Sequence, residues 1–213
     1  MRITQSVFFL PVFFVLSLFS QATCYAATAF PWTMFLPAII SGNSGNTCGS
    51  DVLIAERYLA NDCGVAKDTV TNLEWQRCSV GQTWNAETKS CDGYNTPLNW
   101  YSANELVLSD GWRLPTVTEL RSLVYCSSGD PAFIGMTLDY TSCGGSFTRP
   151  VIVVEVFPNV PYVGNVISSH YWSATTSADD PNNAWGVSFY KGSVSDGPKG
   201  TAGLSVRLVR SAN

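Results

Sequence analysis

The sequence of 213 residues predicts an α+β domain with two helices, a mostly antiparallel sheet and disulfide-stapled loops. Three observations carry that expectation. Short runs of alternating apolar and polar residues crowd the C-terminal part, which is the period of a half-buried strand. A helix-opening Thr-x-x-Glu signature stands near the middle. Six cysteines follow an export-type leader, the arithmetic of a disulfide framework.

The leader comes first. Arg2 and the amino terminus supply positive charge, Val7–Phe19 is apolar, and the small residues Ala26, Ala27 and Ala29 follow. This is the layout of a secretory signal peptide covering residues 1–29. The apolar run falls short of the roughly 20 residues that span a bilayer, so no stable span is expected once the leader is cleaved. Two alternatives stand beside cleavage. Cys24 could carry a lipid, although Gln21 occupies the position where a lipobox has Leu. A retained anchor could continue into the apolar residues of Phe30–Ile40, although Pro31 and Pro37 interrupt a helix there.

Removing residues 1–29 takes away one basic residue and no acidic one, so the net charge moves from −4 to −5. Phosphate recognition needs clustered Lys and Arg, so nucleic acid is excluded as a partner. Beyond Cys24 the cysteines are Cys48, Cys63, Cys78, Cys91, Cys126 and Cys143. Sequential pairing (48–63, 78–91, 126–143) is the simplest of the arrangements six cysteines allow. Each bridge would close a loop of about 15 residues and contribute roughly 3 kcal/mol in the chain-entropy model. Zinc is disfavoured, because no CxxC pair exists and His170 is the single histidine. No cofactor is expected.

The elements then follow in order. Residues 41–50 read as a flexible link, Arg57–Leu59 and Leu73–Arg77 as short strands, and Cys78–Cys91 as a stapled loop. A first helix is expected over Trp100–Leu108, capped by Asn99 and stopped before Gly111. A second opens at Thr116, whose hydroxyl accepts from the Glu119 amide while the Glu119 carboxylate reaches back. Leu120, Leu123 and Val124 give that helix its apolar stripe, and Pro115 sets the approach. Cys126–Asn165 reads as mostly irregular, with Val151–Val156 as a buried strand. Ala184–Tyr190, Ser193–Ser195 and Leu204–Val209 are the closing strands, with a tight turn at Lys191-Gly192.

Five blocks then recur in a fixed order: LEWQRC (73–78), GWRLPTVTEL (111–120), YWSAT (171–175), AWGVSF (184–189) and VRLVR (206–210). Together they resemble the Lcl C-terminal domain-like family of bacterial exported proteins. The resemblance implies a C-type-lectin-like fold over residues 65–213, with residues 30–64 as a lead-in segment. It also implies adhesion, since the family is named for the terminal domain of a collagen-like surface adhesin that binds sulfated polysaccharides. This chain has no collagen-like stalk and is acidic. The Arg113–Glu119 stretch (RLPTVTE) is also similar to the formylglycine-generating enzyme family, whose chemistry rests on a reactive cysteine pair in the C-terminal part. No cysteine follows Cys143 here. In both families the stretch reads as structural, with Arg113 anchoring a loop.

Candidate ligand residues lie in the closing segment. Trp172 and Trp185 could stack on sugar rings, but Trp185 alternates in phase with Val187 and Phe189, which favours core packing. Tyr171 and Tyr190 are the better platforms. Lys191, Lys199, Arg207 and Arg210 form a candidate cationic patch, with bidentate chemistry available to the arginines; the competing reading pairs Arg207 with an acid such as Glu119 or Asp196. Asp179, Asp180 and Asn182 could offer oxygens to calcium, yet Asp, Pro and Asn also build ordinary turns. No nucleophile or acid–base constellation is evident. The expected function is therefore an exported, non-enzymatic module that binds a polysaccharide or a surface protein, located in the periplasm, at the cell surface or outside the cell. A structural subunit of an envelope or pilus assembly is the alternative, and an enzyme of the formylglycine-generating kind is the remote one.

Overall fold

The computed structural model describes residues 48–212 apart from 107–108, 130, 136–141, 162–168 and 201–202. The expected signal peptide, the Cys24 lipid site and the start of the lead-in segment lie outside the described residues.

An antiparallel sheet of five strands has the order β1-β2-β3-β4-β10. Its members are β1 (Val52–Ile54), β2 (Tyr58–Ala60), β3 (Val65–Asp68), β4 (Leu73–Gln76) and β10 (Val209–Ser211). The strands alternate as expected: Leu73 and Trp75 face inward from β4, while Glu74 and Gln76 are half-buried on the other side. β10 pairs with β4 through Val209 opposite Trp75, joining segments far apart in sequence. β1 and β2 belong to this sheet, and the compact unit begins at Thr47. The part of the expected lead-in segment that is described is thus integral to the domain.

The other elements are a hairpin of β5 (Thr83–Asn85) and β6 (Ser90–Asp92), and a three-stranded antiparallel sheet of β7 (His170–Thr176), β8 (Asn183–Ser188) and β9 (Val194–Pro198). Two short helices lie between them, α1 (Trp100–Asn104) and α2 (Val117–Arg121). The Asn99 side chain caps α1 by accepting from Ser102 N at 2.9 Å. The Thr116–Glu119 capping box is present in both directions. Glu119 does more than cap: its carboxylate receives both terminal nitrogens of Arg113, at 2.8 and 2.7 Å. Burial would raise the Glu119 pKa, but the hydrogen bonds from Arg113 and Thr116 outweigh it and hold the group below its ordinary value.

All three disulfides pair sequentially: Cys48–Cys63, Cys78–Cys91 and Cys126–Cys143. Two expected strands take another form. Val151–Val156 makes a bridge at Ile152 to Val124 and then turns, with Phe157 N donating to Val153 O, so that Val156 and Phe157 enter the core from a turn. Leu204 and Ser205 form single bridges, to Leu98 and Tyr171, before the chain reaches β10. Gly192 sits at the β8–β9 turn with φ +83°, where a Cβ would lie 2.7 Å from Val124 Cγ1.

The interior divides into two clusters. One holds Trp75, Tyr58, Leu120, Phe157, Tyr171 and Phe189. The other holds Trp172, Ala184, Val206, Leu208 and Leu114. Consecutive residues of β7 therefore enter different clusters, and the strand is covered on both faces.

The β1–β2 turn has an unusual sequence. Ala55 and Glu56 both take left-handed backbone, φ +51° and +53°, and Arg57 N donates to Ile54 O. These φ values match a type I′ turn, which favours Asn-Gly. Side chains with a Cβ cost roughly 1–2 kcal/mol each in this region. Replacing Ala55-Glu56 by Asn-Gly is expected to stabilise the domain by about 1–2 kcal/mol, read as a raised midpoint in urea unfolding.

A candidate binding cleft between the closing strands

The predicted ligand residues separate into interior and surface groups. Tyr171 is 0% exposed, its ring packed against Phe189 and its hydroxyl 2.7 Å from Ser79 Oγ. Trp172 is 1% exposed and donates its indole N–H to Leu98 O. Arg207 is 0% exposed. Its Nη1 donates to Gln76 O at 2.8 Å and to Arg77 O at 2.6 Å, and its guanidinium lies 4.8 Å from the Phe157 ring centroid. Burial lowers its pKa from the ordinary arginine value.

Both sequence readings of Arg207 are thereby corrected. It is neither a surface cation nor paired with Glu119 or Asp196: Glu119 holds Arg113, and Asp196 accepts from Asn183 Nδ2. Tyr171 likewise is no exposed platform. The physical reason is shared. Alternation assigns one strand face to the core and the other to water, but here the opposite face meets the other cluster. Arg210 pairs with Glu74 at 2.6 Å.

Lys199 is 9% exposed, lies 4.3 Å from the Trp100 ring centroid and donates Nζ to Pro181 O. It braces the Asp179–Asn183 loop instead of facing a ligand. Within that loop Asp180 Oδ1 accepts from Asn182 N and Asn182 Nδ2, and Asp180 O accepts from Asn183 N. These are the bonds of an Asx-type turn. Among the described residues no cluster of three or more His, Cys, Asp or Glu side chains is placed to hold a metal. Tyr190 is half-buried with the Arg149 guanidinium 4.4 Å from its ring centroid, and Lys191 is exposed beside it at the β8–β9 turn.

A cleft of about 230 Å³ opens next to these strands, lined by His170, Trp172, Ser195, Asp196, Pro198 and Leu204. β7 supplies His170 and Trp172 from the same face, because they are two positions apart. β9 supplies Ser195, Asp196 and Pro198. His170 Nε2 and Ser195 Oγ stand 3.2 Å apart, and the edge of Trp172 joins Leu204 and Pro198 in an apolar wall. The arrangement offers hydroxyl, imidazole and carboxylate groups beside apolar surface, which suits a hydroxylated ligand of about one ring. Trp172 is the predicted site residue that reaches this cleft. Sequence reasoning missed Asp196 and Ser195 as lining groups; their position in β9 opposite Trp185 and Gly186 is set by strand register, which a single sequence does not display.

The family model of the Lcl C-terminal domain matches residues 64–210. No curated protein and no solved structure matches the chain.

Proposed function

This chain belongs to the Lcl C-terminal domain family, and from that premise we propose that it is an exported, non-enzymatic binding module with a C-type-lectin-like fold. Its ligand is a polysaccharide of the envelope or cell surface, held in the cleft between β7 and β9. The observation that carries this reading is the cleft itself, where Asp196, Ser195 and His170 rim an apolar wall that includes Trp172. Six cysteines in three disulfides agree with an oxidising compartment. They also leave no thiol among the described residues for chemistry of the formylglycine-generating kind. No helix among the described residues is long and apolar enough to cross a membrane.

The test is a glycan array probed with the exported protein and with Asp196→Ala. At least one polysaccharide is expected to bind, with affinity falling about tenfold in the variant, the loss of roughly one hydrogen bond to a charged group. If no glycan binds and an envelope protein co-purifies in fixed stoichiometry, the structural-subunit alternative replaces this one.

A further inference from the structure

A second concavity, of about 340 Å³, lies beside the five-stranded sheet and the β5–β6 hairpin, lined by Gln76, Gln82, Thr83, Trp84, Trp112 and the half-cystines Cys63 and Cys78. We infer that this groove is a binding site for a neutral saccharide, distinct from the β7–β9 cleft and independent of how that cleft is used.

Its chemistry selects the ligand class. No charged side chain lines the groove. The nearest cations are already committed, Arg77 to three backbone carbonyls and Arg210 to Glu74, so a sulfate, phosphate or carboxylate placed there would lose water without gaining a free counter-charge, which is costly. The polar groups present are neutral: the Gln76 amide and the Thr83 hydroxyl make no hydrogen bond within the described residues. Gln82 spends its Oε1 on Ser79 N and keeps its NH2 available. The Trp84 indole N–H is buried away from solvent, so this indole offers a ligand apolar ring surface and no donor. Uncommitted amide and hydroxyl groups beside two indoles match a ligand with apolar C–H faces and many hydroxyls.

The site is also held in place before any ligand arrives. Arg77 covers Trp84, its guanidinium 3.7 Å from the ring centroid, while donating to Val156 O, Glu155 O and Asn61 O. Arg210 lies 4.5 Å from the Trp112 centroid and is fixed by Glu74. Gly64 allows the closest approach: its φ is +78°, and a Cβ there would meet Trp84 Cβ at 2.7 Å. Cys63 and Cys78, which face one another where the β3–β4 pairing continues, each close a disulfide, so this wall of the groove is pinned from both strands. Side chains fixed in advance lose little freedom on binding.

The experiment titrates the exported protein with maltohexaose, cellohexaose and chitohexaose, following the tryptophan indole N–H signals by NMR. A heparin hexasaccharide and a proline-rich decapeptide serve as comparators. At least one neutral saccharide is expected to shift the Trp84 and Trp112 signals saturably. Its affinity is expected to fall about tenfold or more in Trp112→Ala and in Gln76→Ala, with the unfolding midpoint of Gln76→Ala unchanged. Asp196→Ala is expected to leave this binding intact. The inference is overturned if none of the three saccharides binds at millimolar concentration, or if the peptide alone occupies the groove. Binding that survives both groove substitutions overturns it too. Binding that is lost only in Asp196→Ala would overturn the groove and leave the cleft reading standing.

Discussion

Asp68→Asn is expected to destabilise the domain by about 3–5 kcal/mol, because it strips the counter-charge from a buried arginine. Asp68 is 0% exposed. Its Oδ1 accepts from Arg57 Nε at 2.8 Å and from Val70 N at 3.0 Å, and its Oδ2 accepts from Arg57 Nη2 at 2.5 Å and Thr71 Oγ1 at 2.8 Å. One carboxylate thus ties β2, β3 and the turn leading into β4. The Arg57 guanidinium is wedged over Phe133 and Tyr58, 4.5 and 5.0 Å from their centroids, with no easy exit to water. Burial by itself would raise the Asp68 pKa; the hydrogen bonds and charge of Arg57, with help from Thr71 and Val70 N–H, more than reverse this and hold it below the usual range. The sign follows. A depressed folded pKa gives stability that is complete above the unfolded value of about 3.9 and is lost as pH falls through the lower folded value. Urea unfolding from pH 7 downward is expected to show a steep acid limb in the natural protein and a shallower one in Asp68→Asn. A loss under about 1 kcal/mol at pH 7 would contradict the assignment, since removing one partner of a buried pair costs more.

Arg207→Met is expected to cost about 2–5 kcal/mol. The shape of the aliphatic stem is kept, but the carbonyls of Gln76 and Arg77 lose the donor that both share, and each unsatisfied buried acceptor costs roughly 1–3 kcal/mol. Arg207→Lys is expected to recover only part of this, because an ammonium on a flexible stem does not reproduce the planar fork. The outcome separates the two readings of this residue. A cation displayed for a ligand would change stability by no more than about 0.5 kcal/mol on substitution, and chemical denaturation distinguishes that from the expected loss.

The contrast between Thr116 and Arg207 explains how much of this protein could be read from its sequence. The capping box at Thr116–Glu119 and the Asn99 cap are local devices, complete within four residues, and the structure contains both. The sequential disulfides are nearly local too. Trp185, Val187 and Phe189 were in phase with one core cluster, and all three pack against it. Arg207 failed for a non-local reason. Its strand face meets Phe157 and Tyr171, contributed by distant segments, and alternation alone cannot say that a strand has interior on both sides. The candidate sites fared as Arg207 did. Trp84 and Trp112 come from a hairpin and a loop that only the folded sheet brings together with Gln76, and no spacing along the chain announces that meeting.

The pairing of β10 with β4 also sets an order of assembly for an exported chain. The three disulfides span 15, 13 and 17 residues, so each can close soon after its segment emerges from a translocation channel. The five-stranded sheet cannot. Its β4 edge stays open until residues 209–211 have crossed, more than 130 positions later, and Arg207 arrives with them. Throughout that interval Trp75 and the uncapped β4 edge are available to wrong partners. Early covalent staples that hold the first half in register while the closing strand is still in transit are what such a topology demands.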